Sequence, residues 1–417
     1  MCQSRPPTSL TVCRLPTTIT LVLVVVFSFL ASRFLNRLTL RRALLLSGSE
    51  YLIIGLLLGP LVSGVLHARA LEVLRPGVAL LLGLVGFVLG LPLRSHLAAA
   101  RPRNFLVAAL YTVLGCTTLS TLAVGLLWVT GVDSNWMALV VPGAVLGCAG
   151  MVVSSWILSE GVASLNARGP VTDLLQAIAL IGNTIAVLVA GLALDFEHVQ
   201  LSAAINIFQL PSWIWLVTSG LVGLICGALF ALFHLGDDSE ERTFLATIGV
   251  VLFASGIAVA LSSSPLLVCM VAGLTASLLS PHSSDLSVQL HQLERPVMIV
   301  LMLFAGAMWV PMHGMEWLLV LLYVVGRWVN LLIWPRLSMV LLRHPARRQR
   351  LGSGLRSQGI LAVALALSLE LSLPRWQAVS SAILVGVIAY ELGAGAALRR
   401  LLADSGELVL VDERESA

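Results

Sequence analysis

Thirteen apolar runs succeed one another along this chain, at roughly 19–36, 43–66, 73–93, 104–130, 136–159, 173–194, 211–233, 243–262, 264–280, 297–313, 316–342, 354–373 and 376–398. Crossing about 30 Å of hydrocarbon takes about 20 such residues. Backbone groups at that depth must find partners within the segment, so each run reads as a helix. The ninth and tenth are short and read as tilted or partly re-entrant. No alternating ten-residue pattern suggests a barrel. The chain is 58% hydrophobic and 11% charged, roughly half the charged fraction of a soluble domain. It reads as an all-α polytopic membrane protein.

All 25 basic residues are arginines, and their placement gives an orientation. With the N-terminus outside, the inner loops hold Arg33, Arg37, Arg41, Arg42, Arg94, Arg101, Arg103, Arg168, Arg242, Arg295, Arg343, Arg347, Arg348, Arg350, Arg399 and Arg400. The outer side holds only Arg5, Arg14, Arg69, Arg75 and Arg375. The positive-inside bias therefore puts the N-terminus outside and the C-terminus in the cytoplasm. The first run resembles a signal peptide's apolar core, but no A-x-A site follows it, so it reads as a retained span.

The polar pieces are short: GDDSEER (236–242), the amphipathic HSSDLSVQLHQLER (282–295) and the Arg-rich RHPARRQRLGSGLR (343–356). The last reads as a topogenic stop meeting anionic headgroups. There is no P-loop and no G-x-G-x-x-G after a strand, which argues against a primary pump and against built-in nucleotide gating, and no nucleic-acid partner is expected. Six cysteines and eight histidines show no metal or redox spacing, so neither a metal nor a cofactor is expected.

Ionisable groups at membrane depth are functional suspects. Arg327, in YVVGRWVNLLIW, lies eleven residues past Glu316, about 16 Å into its span. Asn183, in ALIGNTIAVLVAG, lies ten residues past Asp173 on a span entering from the other side, at about 15 Å. A guanidinium and an amide therefore reach similar depth and are expected to face each other. Bland readings are snorkelling for Arg327 and an interhelical hydrogen bond for Asn183. Two spans look breakable: VPGAVLGCAGMVVSSWILSEG (141–161), with Pro142 and the pair Ser154 and Ser155, and LRSQGILAVALALS (355–368), with Ser357, Gln358 and Gly359. Unwound backbone there would line an ion site. They are the fifth and twelfth runs, and an odd separation reverses direction, so spans two to six and nine to thirteen read as inverted repeats.

A family resemblance now becomes visible. SEYLIIGLLLGP (49–60), LLLGLVGFVLGLPL (80–93), CAGMVVSSWILSEG (148–161), SPLLVCMVAGLTAS (264–277), MLFAGAMW (302–309), VVGRWVNLL (324–332), LRSQGILAVALALS and AYELGAG (389–395) resemble, in order, segments of the monovalent cation/proton antiporter superfamily. The resemblance implies two broken helices crossing in a core domain, core helices at 104–194 and 316–398, and a dimerisation scaffold at 19–93 and 243–313. It also implies a connecting helix at 211–233, an outer tail at 1–18 and a cytoplasmic tail at 399–417. It implies a homodimer in a bacterial inner membrane, meeting lipid and exchanging Na⁺ or K⁺ for protons by elevator-type alternating access. Asn183, Thr184, Arg327, Ala149, Gly150, Gln358 and Gly359 fall at the expected ion site.

One departure matters. The family's acidic pair falls on Gly182–Asn183 or Asn183–Thr184, and neither register holds a carboxylate. An amide oxygen can coordinate a cation but does not titrate near neutral pH. Coupling is then altered or lost, unless another acid carries the proton. Glu391, about 22 Å along the last span, is the candidate; its bland alternative is a salt bridge with Arg399. Arg327 lacks its usual acid and must find Glu391, broken-helix carbonyls or a bound anion. Glu160, Asp173 and Glu370 read as interfacial caps. The alternatives are an anion or neutral-solute carrier using Arg327, or a non-transporting sensor or scaffold on the same fold.

Overall fold

The structure is a computed structural model describing residues 48–94, 101–131, 135–203, 212–234, 240–279, 283–344 and 351–407. The expected outer tail and first span, and the end of the cytoplasmic tail, lie outside the described residues. All regular structure among the described residues is helical.

The chain runs through α1 (Ser49–Leu58), α2 (Ala68–Gly90), α3 (Pro102–Val129), α4 (Trp136–Ala149), α5 (Ser155–Ser164) and α6 (Pro170–Ala177). A π-helical turn (Ile178–Gly182) joins α6 to α7 (Asn183–Ala203). Then follow α8 (Ser212–His234), α9 (Glu240–Ala260), α10 (Pro265–Leu279), α11 (Ser283–Met308), α12 (Trp317–Leu341), α13 (Gly359–Ser372), α14 (Gln377–Glu391) and α15 (Ala394–Asp404). Among the described residues, four stretches are long and apolar enough to cross a membrane alone: Arg69–Gly90, Pro102–Val129, Pro170–Phe196 and Gly314–Leu341.

Two expectations are corrected. The amphipathic stretch at 282–295 is not a loop: from Ser283 it is the first half of α11, which runs through Pro296 into the tenth apolar run. The last span ends at Glu391, because Gly393 takes a left-handed φ of 81° and the chain bends by 49° into α15. Residues 394–404 thus form a separate helix, rather than the end of a span and the start of a tail.

The helices pack in two groups. In one, α2 lies along α10, α1 along α11, and α8 and α9 against α10. The contact of α2 with α10 is close because Cβ atoms on Gly90 and Gly273 would overlap the Met270 and Phe87 carbonyls, the small-residue approach usual between membrane helices. In the other group, α3 packs on α4 and α12, α4 on α7, and α13 on α14 and α4. The bundle has two distinct ends. At one, Arg94 donates to Ser277 O (3.0 Å) and Leu278 O (3.2 Å). There His344 Nε2 meets Asn104 Oδ1 (2.9 Å), and the Glu407 carboxylate takes N–H bonds from Val171 (2.7 Å) and Thr172 (2.9 Å). Arg101, Arg103, Arg168 and Arg343 are at this Arg-rich end. At the far end, Asp195 Oδ1 accepts from Ser264 N (2.9 Å) and Trp317 Nε1 donates to Met312 O (3.2 Å).

Candidate functional site

Both breakable spans are broken, and the breaks touch. Helix α4 ends at Ala149, the chain continues without regular structure, and α5 restarts at Ser155 with Ser154 Oγ accepting from Ile157 N at 3.4 Å. The local cause is sequence: β-branched Val152 and Val153 disfavour helix, and Ser154 is a preferred N-cap. In the second break the chain is irregular until α13 begins at Gly359, whose φ is +64°. Ser154 N donates to Ser357 O (3.1 Å). A Cβ on Gly359 would lie 2.6 Å from Ser154 Oγ, so only glycine lets the breaks approach this closely. The crossing leaves the carbonyl end of α4 and the amino end of α13 inside the protein, without helical partners and carrying opposite partial charges.

Arg327 answers the carbonyl end. It is fully buried, so it does not snorkel. Nη1 donates to Gly150 O, and Nη2 to Val152 O (3.1 Å), Leu355 O (3.1 Å) and Arg356 O (3.2 Å). The guanidinium also lies 5.1 Å from the centre of the Tyr390 ring. Of the three partners expected for Arg327, broken-helix carbonyls are the ones it bonds. Three residues on, Asn330 fastens α12 to α3 by donating to Gly115 O (3.1 Å) and accepting from Thr118 Oγ1 (3.2 Å).

Glu391 answers the amino end. The last residue of α14, it is buried, and its Oε1 accepts from Gln358 N (3.0 Å) and Gly359 N (2.6 Å). It caps α13 rather than pairing with Arg399, which the bend after Glu391 carries onto α15. Gln358 Nε2 donates to Tyr323 Oη (2.6 Å) and to Ala149 O (3.3 Å). Gln358 Oε1 and Glu391 Oε2 are buried and have no hydrogen-bond partner.

Asn183 follows the π-helical turn, a feature frequent at functional sites that no residue pattern announced. Its Oδ1 accepts from Val153 N (2.9 Å), and its Nδ2 donates to Val153 O (2.7 Å) and Ser155 Oγ (3.2 Å). The amide matches a peptide group, donor to acceptor and acceptor to donor. A carboxylate would meet Val153 O without a proton to share. Arg327 and Asn183 do not face each other across a hollow, as expected from their depth. They hold successive residues of one segment, Val152 and Val153.

The remaining candidates divide. Ala149 and Gly150 contribute carbonyls. Thr184 stays apart: its hydroxyl donates to Leu180 O (2.8 Å) on its own helix, and it does not line the cavity at the crossing. That cavity, about 80 Å³, is lined by Val153, Ser154, Ser155, Asn183 and Gln358 on one side, and by Val88, Glu294 and Met298 on the other. It lies in the half of the bundle toward the Arg-rich end, between the two helix groups. Sequence reasoning missed Glu294, because its segment read as a loop, and passed over the oxygens of Ser155 and Tyr323.

The model of a family described as sodium/hydrogen exchanger, transmembrane, matches residues 30–403. Among solved structures, the fold is similar to that of the sodium proton antiporter MjNhaP1 from Methanocaldococcus jannaschii at pH 8. The TM-score is 0.63 at 12% identity, over 93% of this chain and 98% of that one, a likeness of fold. Comparison with curated proteins gives no match.

Proposed function

The chain belongs to the sodium/hydrogen exchanger family, and from that premise we propose that it exchanges Na⁺ or K⁺ for protons, with Glu391 as the proton-bearing acid. The helices α3–α7 and α12–α14 form the moving body. It alternates the crossing between the two membrane faces against a scaffold of α1, α2 and α9–α11, with α8 as connector and a second copy completing a homodimer. The Arg-rich end is cytoplasmic, as the positive-inside bias requires, so this is the inward-open arrangement.

The observation that carries the reading is the division of labour at the crossing. Arg327 holds the carbonyl end and Glu391 the amino end of one pair of broken helices. Ionised Glu391 and Arg327 together make the crossing neutral. A proton on Glu391 raises its charge by one, and so does a cation bound beside Asn183, Ser155 and Gln358. At an effective dielectric of about 20, two unit charges repel by about 4 kcal/mol at 4 Å and by less with distance. Proton and cation thus disfavour each other without sharing a carboxylate. Gln358 lines the cavity and its Oε1 is buried without a hydrogen-bond partner; this oxygen would meet the cation, with Ser155 Oγ held on the same cavity wall by Asn183 Nδ2.

The anion reading loses support, because Arg327 spends its terminal nitrogens on carbonyls and does not line the cavity. The non-transporting reading is favoured by one fact: Asn183 already has partners at both ends of its amide. Proteoliposomes loaded with a pH-sensitive dye separate the two. Added Na⁺ or K⁺ should collapse an imposed pH gradient, and failure of every monovalent cation to do so would leave only the second reading.

A further inference from the structure

The far end of the bundle carries two buried carboxylates that the exchange chemistry leaves unused. Asp195 is twelve residues beyond Asn183 on α7, about 18 Å along the helix. It is 4% exposed. Its Oδ1 accepts from Ser264 N (2.9 Å), at the amino end of α10, while Oδ2 has no hydrogen-bond partner. Ser219 of α8 lies against the carboxylate and shares a 2.8 Å hydrogen bond with Ser263. Glu370, near the end of α13, is also 4% exposed. Arg75 of α2 is the opposite charge that acts on it, and Arg75 lines one cavity with Ser368, Leu371 and Ser372 of the same helix end. Both acids sit on helices that build the crossing, and their partners sit on helices of the other group.

Between these contacts lies a second cavity of about 270 Å³, lined by Arg75, Ser263 and Ser368 among others. Ser368 is nine residues along α13 from Gly359, so the cavity stops about 13 Å short of the crossing. On the Arg-rich side the crossing meets a cavity; on the far side, contacts between the two groups intervene.

We propose that Asp195 and Glu370 are the gate that closes the far side: they fasten the moving body to the scaffold and must leave Ser264 and Arg75 before the crossing can open that way. The proposal rests on the alternating-access reading above. A carboxylate at the amino end of α10 is favoured by the helix dipole, and a bond between an ionised acceptor and an N–H is among the stronger kinds. Losing either fastening shifts the population toward the far-open arrangement.

The test is labelling with a membrane-impermeant maleimide in sealed vesicles of both orientations. Val88→Cys reports the first cavity and Ser368→Cys the second, with Cys2 and Cys13 replaced by serine; Cys116, Cys148, Cys226 and Cys269 are buried. Asp195→Asn should speed Ser368→Cys labelling about tenfold, the effect of one charge-assisted hydrogen bond, and slow that of Val88→Cys. Glu370→Gln should act in the same direction. Rates unchanged in both variants overturn the gate. A disulfide between Asp195→Cys and Ser264→Cys should hold Ser368→Cys unreactive until reduced; equal reactivity before and after reduction also overturns it. If the far-side reporter never reacts in any variant, with or without cation, alternation itself fails. If it reacts equally in wild type and variants, alternation stands and the gate does not.

Discussion

Replacing Arg327 with alanine should be among the most damaging single changes in the protein. The substitution strips donors from three buried carbonyls, those of Gly150, Val152 and Leu355, and from the partly buried carbonyl of Arg356. It also leaves buried Glu391 without the opposite charge across the crossing. Removing one partner from a buried charged arrangement costs about 3–5 kcal/mol, against a total stability of about 5–15 kcal/mol. Purified protein in detergent should therefore melt about 3–6 °C lower. Arg327→Lys should recover only part of the loss, because one ammonium cannot reproduce a planar fork reaching several carbonyls. Adding Glu391→Gln to Arg327→Ala should cost less than the sum of the two changes, with a coupling of about 1–3 kcal/mol. A melt within about a degree of wild type for Arg327→Ala, or strict additivity with Glu391→Gln, would refute the reasoning.

Other outcomes follow from neighbouring residues. Gly359→Ala forces a Cβ into a left-handed residue 2.6 Å from Ser154 Oγ. It should cost more than the ~1–2 kcal/mol of the backbone conformation alone, read as a lowered melt; a wild-type melt contradicts the close crossing. Asn183→Asp loses the proton given to Val153 O, a cost of about 1–3 kcal/mol. The folded state then favours the protonated acid, so the variant should regain stability as pH falls, which a melt at several pH values reads directly. Burial, then Arg103 and Arg101, lower the pKa of His344. The folded protein prefers neutral imidazole, so this group's contribution should rise with pH up to about 6.5 and be flat above; His344→Gln should remove that slope. Glu407→Gln weakens the cap at the start of α6, costing about 1 kcal/mol, and should speed hydrogen exchange at Val171 and Thr172 while leaving Ser154 unaffected.

The breaks were legible through Ser154 and Gly359, which disfavour continued helix; Pro142, read with them, lies inside α4 instead, and the Val152–Val153 pair at the break was not read as a cause. Arg327 and Asn183 were legible as polar side chains out of place in apolar runs. Their partners were not, because those partners are backbone carbonyls and amides, which every residue carries. At the π-helical turn before Asn183, Gly182 packs against Thr112, where a Cβ would come within 2.7 Å of the hydroxyl, a contact that the sequence does not announce. The bend after Glu391 turned on the conformation of Gly393, one glycine among many. Glu370 was legible as lying near a span end, but its burial was not, since sequence distance does not say which neighbour covers a helix end. The role of Asp195 was hidden for the same reason: Ser264 is sixty-nine residues away.

The most direct test of the account is the number of protons released when Na⁺ or K⁺ is added to unbuffered purified protein. If a cation beside Asn183 and a proton on Glu391 disfavour each other across a crossing whose charge is set by Arg327, wild type should release up to one proton per chain, and Glu391→Gln none. Proton release that persists in Glu391→Gln would place the exchanging acid elsewhere and contradict the central claim.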